Sequence, residues 1–264
     1  MGVASARRRA WGSATRTLRR ALDAARQSVR RTLRALFRER VDAELGLRRL
    51  VERRISQEIA LRCANDRAPV FDDIESARRL CMEHLREARP GLFLEFGVFR
   101  GKSIDFFARA LPERSFHGFD SFEGLPEGGG FWQPHFESGA FDLGGKLPAV
   151  RENVVLHKGW IEETLPTFLA EHPHEPVRFA HIDTDLYSSA DQILRALEPR
   201  IEAGTVILFD EYCNYPGFHL EEYRAFQEYL QRTGSEYRVL CAAVRADYFG
   251  ALGKLAVEIT RAAC

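Results

Sequence analysis

The chain has 264 residues, 45% of them apolar, which suits one α/β domain with an appendage or at most two small domains. Its five cysteines are widely scattered and form no CxxC pair. This pattern disfavours a disulfide framework or a zinc cage and favours reduced thiols in a soluble, cytoplasmic protein. No apolar run reaches the roughly 18 residues that a membrane-spanning helix needs, so the sequence predicts no transmembrane segment.

The net charge of zero conceals an uneven distribution. Residues 1–40 contain twelve arginines against Asp23 and Glu39, a net charge of +10, so the remainder carries −10. Apolar residues at helical spacing from Leu18 to Phe37 predict an arginine-faced helix that packs on the protein or on a second copy of the chain. Binding to a membrane surface or to nucleic acid is the less favoured alternative, and a cleaved presequence also fits the composition.

Helical patterns continue to about Glu87, and Pro90-Gly91 then interrupts the chain. We therefore divide it into a basic helical arm (1–40), a helical region that packs on the core (41–90) and a main domain (91–264).

The main domain alternates short apolar runs with helical patterns. The predicted strands are Leu92–Phe96, Ser115–Phe119, Asn153–Leu156, Val177–Ile182, Thr205–Phe209, Tyr237–Val244 and Leu255–Thr260. The predicted helices run through Ile104–Leu111, Ile161–Ala170, Ala190–Leu197 and Leu220–Leu230. This alternation predicts an α/β fold with a Rossmann-like, doubly wound, mostly parallel sheet and helices on both faces. Ligands of such sheets bind beyond the carboxyl ends of the strands.

The first predicted strand ends in a glycine-containing turn that opens a helix. Gly97 and Gly101 allow a tight turn and a close approach of the backbone to a ligand. The middle position of a dinucleotide-binding fingerprint is Phe99, which argues against NAD. Glu95, just before the turn, fits a ligand with a positively charged amino group. A purely structural turn is the alternative.

The second predicted strand is followed by Asp120. A carboxylate at this position accepts hydrogen bonds from the ribose hydroxyls of a nucleoside ligand, although it can also cap the following turn. Glu95 and Asp120 at the ends of consecutive strands together favour the nucleoside interpretation.

Three acidic residues follow the fourth and fifth predicted strands, namely Asp183, Asp210 and Glu211. Carboxylates gathered at one edge of the sheet repel one another and need a compensating cation. Oxygen ligands without cysteine suit Mg²⁺ or another hard divalent cation. The alternative is that some of them cap helices while the others face solvent.

The stretch Glu127–Pro148 is rich in glycine and aromatic residues and lacks periodicity, which favours a substrate-facing lid. His135 within it and His219 further along are hypothetical substrate contacts, with ordinary surface or core positions as the alternative.

Three stretches together resemble the macrocin O-methyltransferase family of class I S-adenosylmethionine (SAM)-dependent methyltransferases. They are Glu95–Ser103, Asp120–Pro126, and Asp183–Tyr187 together with Asp210–Tyr212. The resemblance covers roughly residues 91–230 and implies a seven-stranded sheet whose last strand is antiparallel.

The resemblance also implies roles for individual residues. Glu95 and Gly97 flank the amino-acid moiety of SAM, Asp120 holds the ribose, and Trp160 and Ile161 border the adenine. Gly101, Ser103 and Ser121 lie within the matched stretches and are predicted to contact the cofactor. The family's metal ligands fall on Asp183, Asp210 and Glu211, although the family usually has a second Asp in the last position. Asp185 is the alternative ligand if one of these is missing.

The predicted function is SAM-dependent methylation of a hydroxyl group on a sugar-containing small molecule or glycan, assisted by Mg²⁺, with Asp183 as the catalytic base. A metal-independent N- or O-methyltransferase is one alternative. A non-catalytic nucleotide-binding module tethered by the basic arm is another. The expected partners are a small-molecule or glycoside acceptor and a second copy bound through the N-terminal helices; nucleic acid is not expected.

Overall fold

The computed structural model describes residues 44–126, 138–245 and 251–262. The chain divides into two compact units, residues 1–51 and 52–264. The predicted basic arm, residues 1–40, lies outside the described residues, and so does His135. Among the helices that the structure describes, none combines the length and apolar character needed to span a bilayer.

Helices and strands alternate along the second unit. The helices are residues 44–65 (α1, of which 44–51 belong to the first unit), Ile74–Leu85 (α2), Lys102–Ala110 (α3), Ile161–Glu171 (α4), Tyr187–Leu197 (α5) and Glu222–Thr233 (α6). The strands are Val70–Phe71 (β1), Leu92–Phe96 (β2), Phe116–Asp120 (β3), Val154–Lys158 (β4), Val177–Ile182 (β5), Ile201–Phe209 (β6), Glu236–Arg245 (β7) and Ala251–Arg261 (β8). Short 3₁₀ turns lie at Glu198–Arg200 and Phe218–Leu220.

Within the described residues these strands form one sheet in the order β1-β7-β8-β6-β5-β2-β3-β4. Strand β8 pairs antiparallel with both β6 and β7, whereas the other pairings are parallel. The predicted seven strands and the antiparallel last strand are therefore present, and the two-residue β1 adds an eighth at the edge. The order of strands reverses between β2 and β5, which is where doubly wound folds bind ligands.

Both faces of the sheet are covered. On β2, Leu94 and Phe96 belong to a buried cluster that includes residues of α1, α4, α5 and α6. Phe93 points to the opposite face and packs in a cluster with residues of α2 and α3. Because successive side chains of a strand point to opposite faces, one apolar strand supplies both clusters. The predicted doubly wound α/β fold is confirmed.

Candidate active site

The carboxyl ends of β2, β3, β4 and β5 surround a cavity of about 600 Å³. Seven of the residues predicted for cofactor binding or catalysis line it: Gly97, Ser103, Asp120, Ser121, Trp160, Ile161 and Asp183. Four other predicted site residues are not among its lining residues: Glu95, Gly101, Asp210 and Glu211. Seven of the eleven predicted residues therefore lie together at one edge of the sheet, and the other four do not line this cavity.

Gly97, just after β2, lies against the main chain of Asp183, just after β5. Its φ is +86°, and a Cβ built on it would lie 1.8 Å from the carbonyl oxygen of Asp183. The neighbouring hydrogen bond from the Asp183 N–H to the Phe96 carbonyl, 2.9 Å long, keeps the two strands together. Glycine is therefore required here both by conformation and by space.

Asp120 ties the turn after β2 to the end of β3. Its Oδ2 accepts hydrogen bonds from the backbone N–H groups of Val98 (2.8 Å) and Phe99 (2.7 Å), and its Oδ1 accepts one from Phe122 (2.7 Å). The carboxylate thus caps the following turn, and it also lines the cavity. A carboxylate has about four acceptor sites, so ribose hydroxyls can still bind to it.

Glu95 is fully buried beneath the cavity wall. It accepts a hydrogen bond of 2.8 Å from the Ser103 hydroxyl, and its Oε2 lies 3.3 Å from Nδ1 of His181. Ser103 lines the cavity and Glu95 does not, so Glu95 is linked to the cavity wall through the Ser103 hydroxyl.

His181 is a buried residue of β5 that sequence reasoning missed. Its Nε2 lies 3.4 Å from Oδ1 of Asp210, so the imidazole stands between two carboxylates. Burial opposes its charge, yet the acceptors on Asp210 and Glu95 raise the pKa of His181 to about 9. The imidazole is therefore protonated at neutral pH and both ring nitrogens act as donors.

Asp210 is surrounded by positive charge. The Lys254 ammonium donates to its Oδ2 and, at 3.0 Å, to its main-chain carbonyl oxygen. Nη2 of Arg78 lies 3.4 Å from its Oδ1. Burial alone would raise the pKa of Asp210, but the hydrogen bond from His181 and the charge of Lys254 hold it well below its usual range. Asp210 is consequently ionised at every physiological pH.

Asp183 has the opposite electrostatic setting. Burial and the neighbouring charge of Asp210 raise its pKa to about 8. A carboxyl that lines the cavity and titrates near neutral pH suits general acid–base catalysis.

Glu211 lies apart from this group. Its backbone N–H donates to Glu222 at 3.1 Å, and the other Glu222 oxygen accepts from the N–H of Thr184 at 3.4 Å. The fully buried Glu222 at the start of α6 therefore joins the loops that follow β5 and β6.

The three predicted metal ligands do not all come together. Among the described residues, the potential ligand atoms that converge to within 4.8 Å belong to His181, Asp183 and Asp210, not to Glu211. Both oxygens of Asp210 already have partners: Oδ2 binds the Lys254 ammonium, and Oδ1 faces the Arg78 guanidinium and Nε2 of His181, each at 3.4 Å. This donor set does not fit a divalent cation.

The described part of the predicted lid contributes to the cavity wall through Ala140 and Phe141. The Phe141 ring packs edge-on against Phe99 with centroids 5.5 Å apart. His219 does not line the cavity; its Nδ1 lies 3.4 Å from Glu52.

Part of the chain is similar to known methyltransferases. Residues 94–212 match a family model described as a methyltransferase domain. The chain is 30% identical over 157 residues to mycinamicin III 3''-O-methyltransferase of Micromonospora griseorubida, covering 50% of this chain and 60% of that protein. It is 31% identical over 156 residues to 8-demethyl-8-(2,3-dimethoxy-alpha-L-rhamnosyl)-tetracenomycin-C 4'-O-methyltransferase of Streptomyces olivaceus, covering 50% of this chain and 58% of that protein.

The chain spans less than two thirds of the length of these curated relatives. Among solved structures, the O-methyltransferase NovP superposes with a TM-score of 0.50 at 24% identity, over 71% of this chain and 79% of that chain, which shows the shared fold.

Residues 94–212 are thus similar to a methyltransferase domain, and they include the strand ends that surround the cavity. Both curated relatives described above are O-methyltransferases by name.

Proposed function

We propose that this chain is a SAM-dependent O-methyltransferase of the macrocin type, acting on a hydroxyl group of a sugar-containing small molecule. The observation that carries the proposal is the cavity that Gly97, Asp120 and Asp183 share at the ends of three neighbouring strands. It combines a nucleoside-type contact with a titratable carboxyl.

The cavity suits SAM in size and in lining. Its volume of about 600 Å³ lies within the range of small-molecule sites. Gly97 lines the cavity beside the Asp183 main chain, and Asp120 offers acceptors for the ribose. Trp160 and Ile161 at the start of α4 present apolar surface for the adenine.

SAM, when bound, supplies a methyl group on a positively charged sulfur, and the protein's contribution is mainly to position the reactants. The acceptor hydroxyl gives its proton to the Asp183 carboxylate while its oxygen forms the new C–O bond. Bound SAM would supply the methyl group to that oxygen, and the electron pair of the broken C–S bond would stay on sulfur in the product S-adenosylhomocysteine. Deprotonated Asp183 lines the cavity and can act as this base, and the Asp185 carboxylate, two residues later, also lines the cavity.

Two observations support a hydroxyl-rich acceptor. On the α5 side the cavity is lined by Ser188, Ser189 and Gln192, whose polar groups suit hydrogen bonding to several hydroxyls. The tetracenomycin relative carries a rhamnosyl group in the name of its substrate, and both relatives are named O-methyltransferases.

Calorimetry with S-adenosylhomocysteine, SAM and NAD tests the cofactor. We expect binding of the first two and little binding of NAD. Asp120→Ala should weaken binding of S-adenosylhomocysteine roughly tenfold to a hundredfold, because a charged hydrogen-bonding partner contributes about 1.5–3 kcal/mol. Asp72→Ala, at an exposed position, is the matched control.

Because Asp120 also holds the turn after β2, Asp120→Asn separates the two roles. The amide retains one acceptor oxygen for the backbone but lacks the charge. Unchanged affinity in both Asp120 variants would remove the ribose contact from the proposal. Transfer of a labelled methyl group to a panel of glycosides then tests the reaction itself.

A further inference from the structure

The carboxylate of Asp210 has positively charged side chains of the same chain beside it. The macrocin resemblance places a metal ion at Asp210, yet in the structure this carboxylate binds Lys254 through Oδ2 and faces Arg78 and His181 through Oδ1. The side chains of Asp210, Lys254 and Arg78 are each 15% exposed or less, so solvent screens their interaction only weakly.

We propose that Lys254 and Arg78 take the place of the divalent cation, so that methyl transfer by this chain needs no bound metal ion. The proposal rests on the methyltransferase function proposed above.

Lys254 is held in position by the sheet itself. The antiparallel pairing of β6 with β8 joins Phe209 to Leu255, which brings Lys254 beside Asp210. The ammonium group binds both the carboxylate and the main-chain carbonyl of Asp210. The chain contains 34 arginines and only four lysines, and at this position it has the compact charge that most resembles a bare cation.

Arg78 extends the same charge to the cavity. It comes from α2, on the face of the sheet opposite α5, and it lines the cavity, whereas Lys254 does not. Its positive guanidinium can stabilise the negative charge that develops on the acceptor oxygen as Asp183 takes the proton. Lys254 then acts as a positioning residue that neutralises Asp210 and leaves Arg78 directed at the cavity.

Titration with Mn²⁺ alone, followed by the paramagnetic resonance signal of the free ion, tests this without any acceptor. We expect the EDTA-treated wild-type protein to bind no Mn²⁺ at concentrations up to about 1 mM, the weak limit of protein cation sites. Lys254→Met should gain a site with affinity at least about tenfold tighter, because Asp210 then lacks its strongest partner. Lys254→Arg keeps the charge and should gain none, and Arg54→Met removes an exposed charge elsewhere as the control.

Stoichiometric Mn²⁺ binding by the wild-type protein that disappears in Asp210→Asn would overturn the proposal. So would a folded Lys254→Met protein that gains no Mn²⁺ site. If Lys254→Met does not fold, the wild-type and Lys254→Arg titrations still decide the matter. Calorimetry with S-adenosylhomocysteine on the same samples tests the methyltransferase function separately, since cofactor binding does not depend on the metal result.

Discussion

Replacing Gly97 by alanine gives the sharpest test of how the site is built. The new Cβ would lie 1.8 Å from the Asp183 carbonyl oxygen and 2.8 Å from its carbonyl carbon. Both are main-chain atoms, so no side-chain rotation can relieve the clash and β2 and β5 must move apart. Overpacking of this kind costs about 1–3 kcal/mol, and the positive φ of an alanine adds roughly 1–2 kcal/mol.

The total of about 2–5 kcal/mol is less than the stability of a typical domain, so the variant should fold and can be measured. We expect a lower midpoint of denaturant unfolding and a loss of S-adenosylhomocysteine affinity of at least about tenfold, since the turn that carries Val98 and Phe99 shifts with the strand.

Gly204→Ala is the matched control. Gly204 in β6 also has a positive φ, +93°, but a Cβ on it would meet no atom within 4 Å. Gly204→Ala should lower the free energy of unfolding only by the cost of the positive φ, about 1–2 kcal/mol, and should keep the affinity for S-adenosylhomocysteine. Equal losses of stability in the two variants, with unchanged affinity in Gly97→Ala, would refute the close approach of β2 and β5 as the basis of the site.

Four further outcomes follow from the same structure. Single-turnover rates should rise with pH through about 8, because Asp183 accepts a proton only when ionised; Asp183→Asn should remove this dependence. The free energy of unfolding should fall as the pH rises from about 6.5 to 9, because His181 holds its proton more tightly in the folded state; urea titrations across that range measure it. Glu222→Ala should cost at least about 2 kcal/mol by leaving two backbone N–H groups without their acceptor, whereas Glu236→Ala, in an exposed ion pair, should cost almost nothing in thermal unfolding. Deletion of residues 1–40 should leave S-adenosylhomocysteine binding intact while changing the oligomeric state in light scattering, because the described cavity is built from later residues.

The sequence predicted strand limits best where the local residue pattern alone defines the strand. Strands β2 and β5 have the predicted limits because their apolar runs end sharply at polar or glycine positions. Strand β6 begins at Ile201, four residues before the predicted start at Thr205. The prediction was too short because Gly204, inside the strand, resembles a turn residue. The two-residue β1 exists only through its pairing with β7, which no local pattern indicates.

The same distinction applies to the site. Gly97, Asp120 and Asp183 could be predicted because the strand-end rule needs only the position of each strand. Lys254 and Arg78 meet Asp210 through the sheet order and through a helix on one face, neither of which a single segment encodes. The position of His181 could have been predicted. It lies two residues after the buried Phe179 and so points to the same face of β5, and the strand register pairs it with Glu95.

The position of β8 has a consequence for how the protein matures during translation. The methyltransferase family match ends at residue 212, yet β8 inserts between β6 and β7 and delivers Lys254 to Asp210. A nascent chain synthesised only as far as α6 therefore has the acidic strand ends but not the lysine charge beside them. Since domains fold as their segments leave the ribosome, the site acquires its electrostatic balance only when the last hairpin emerges.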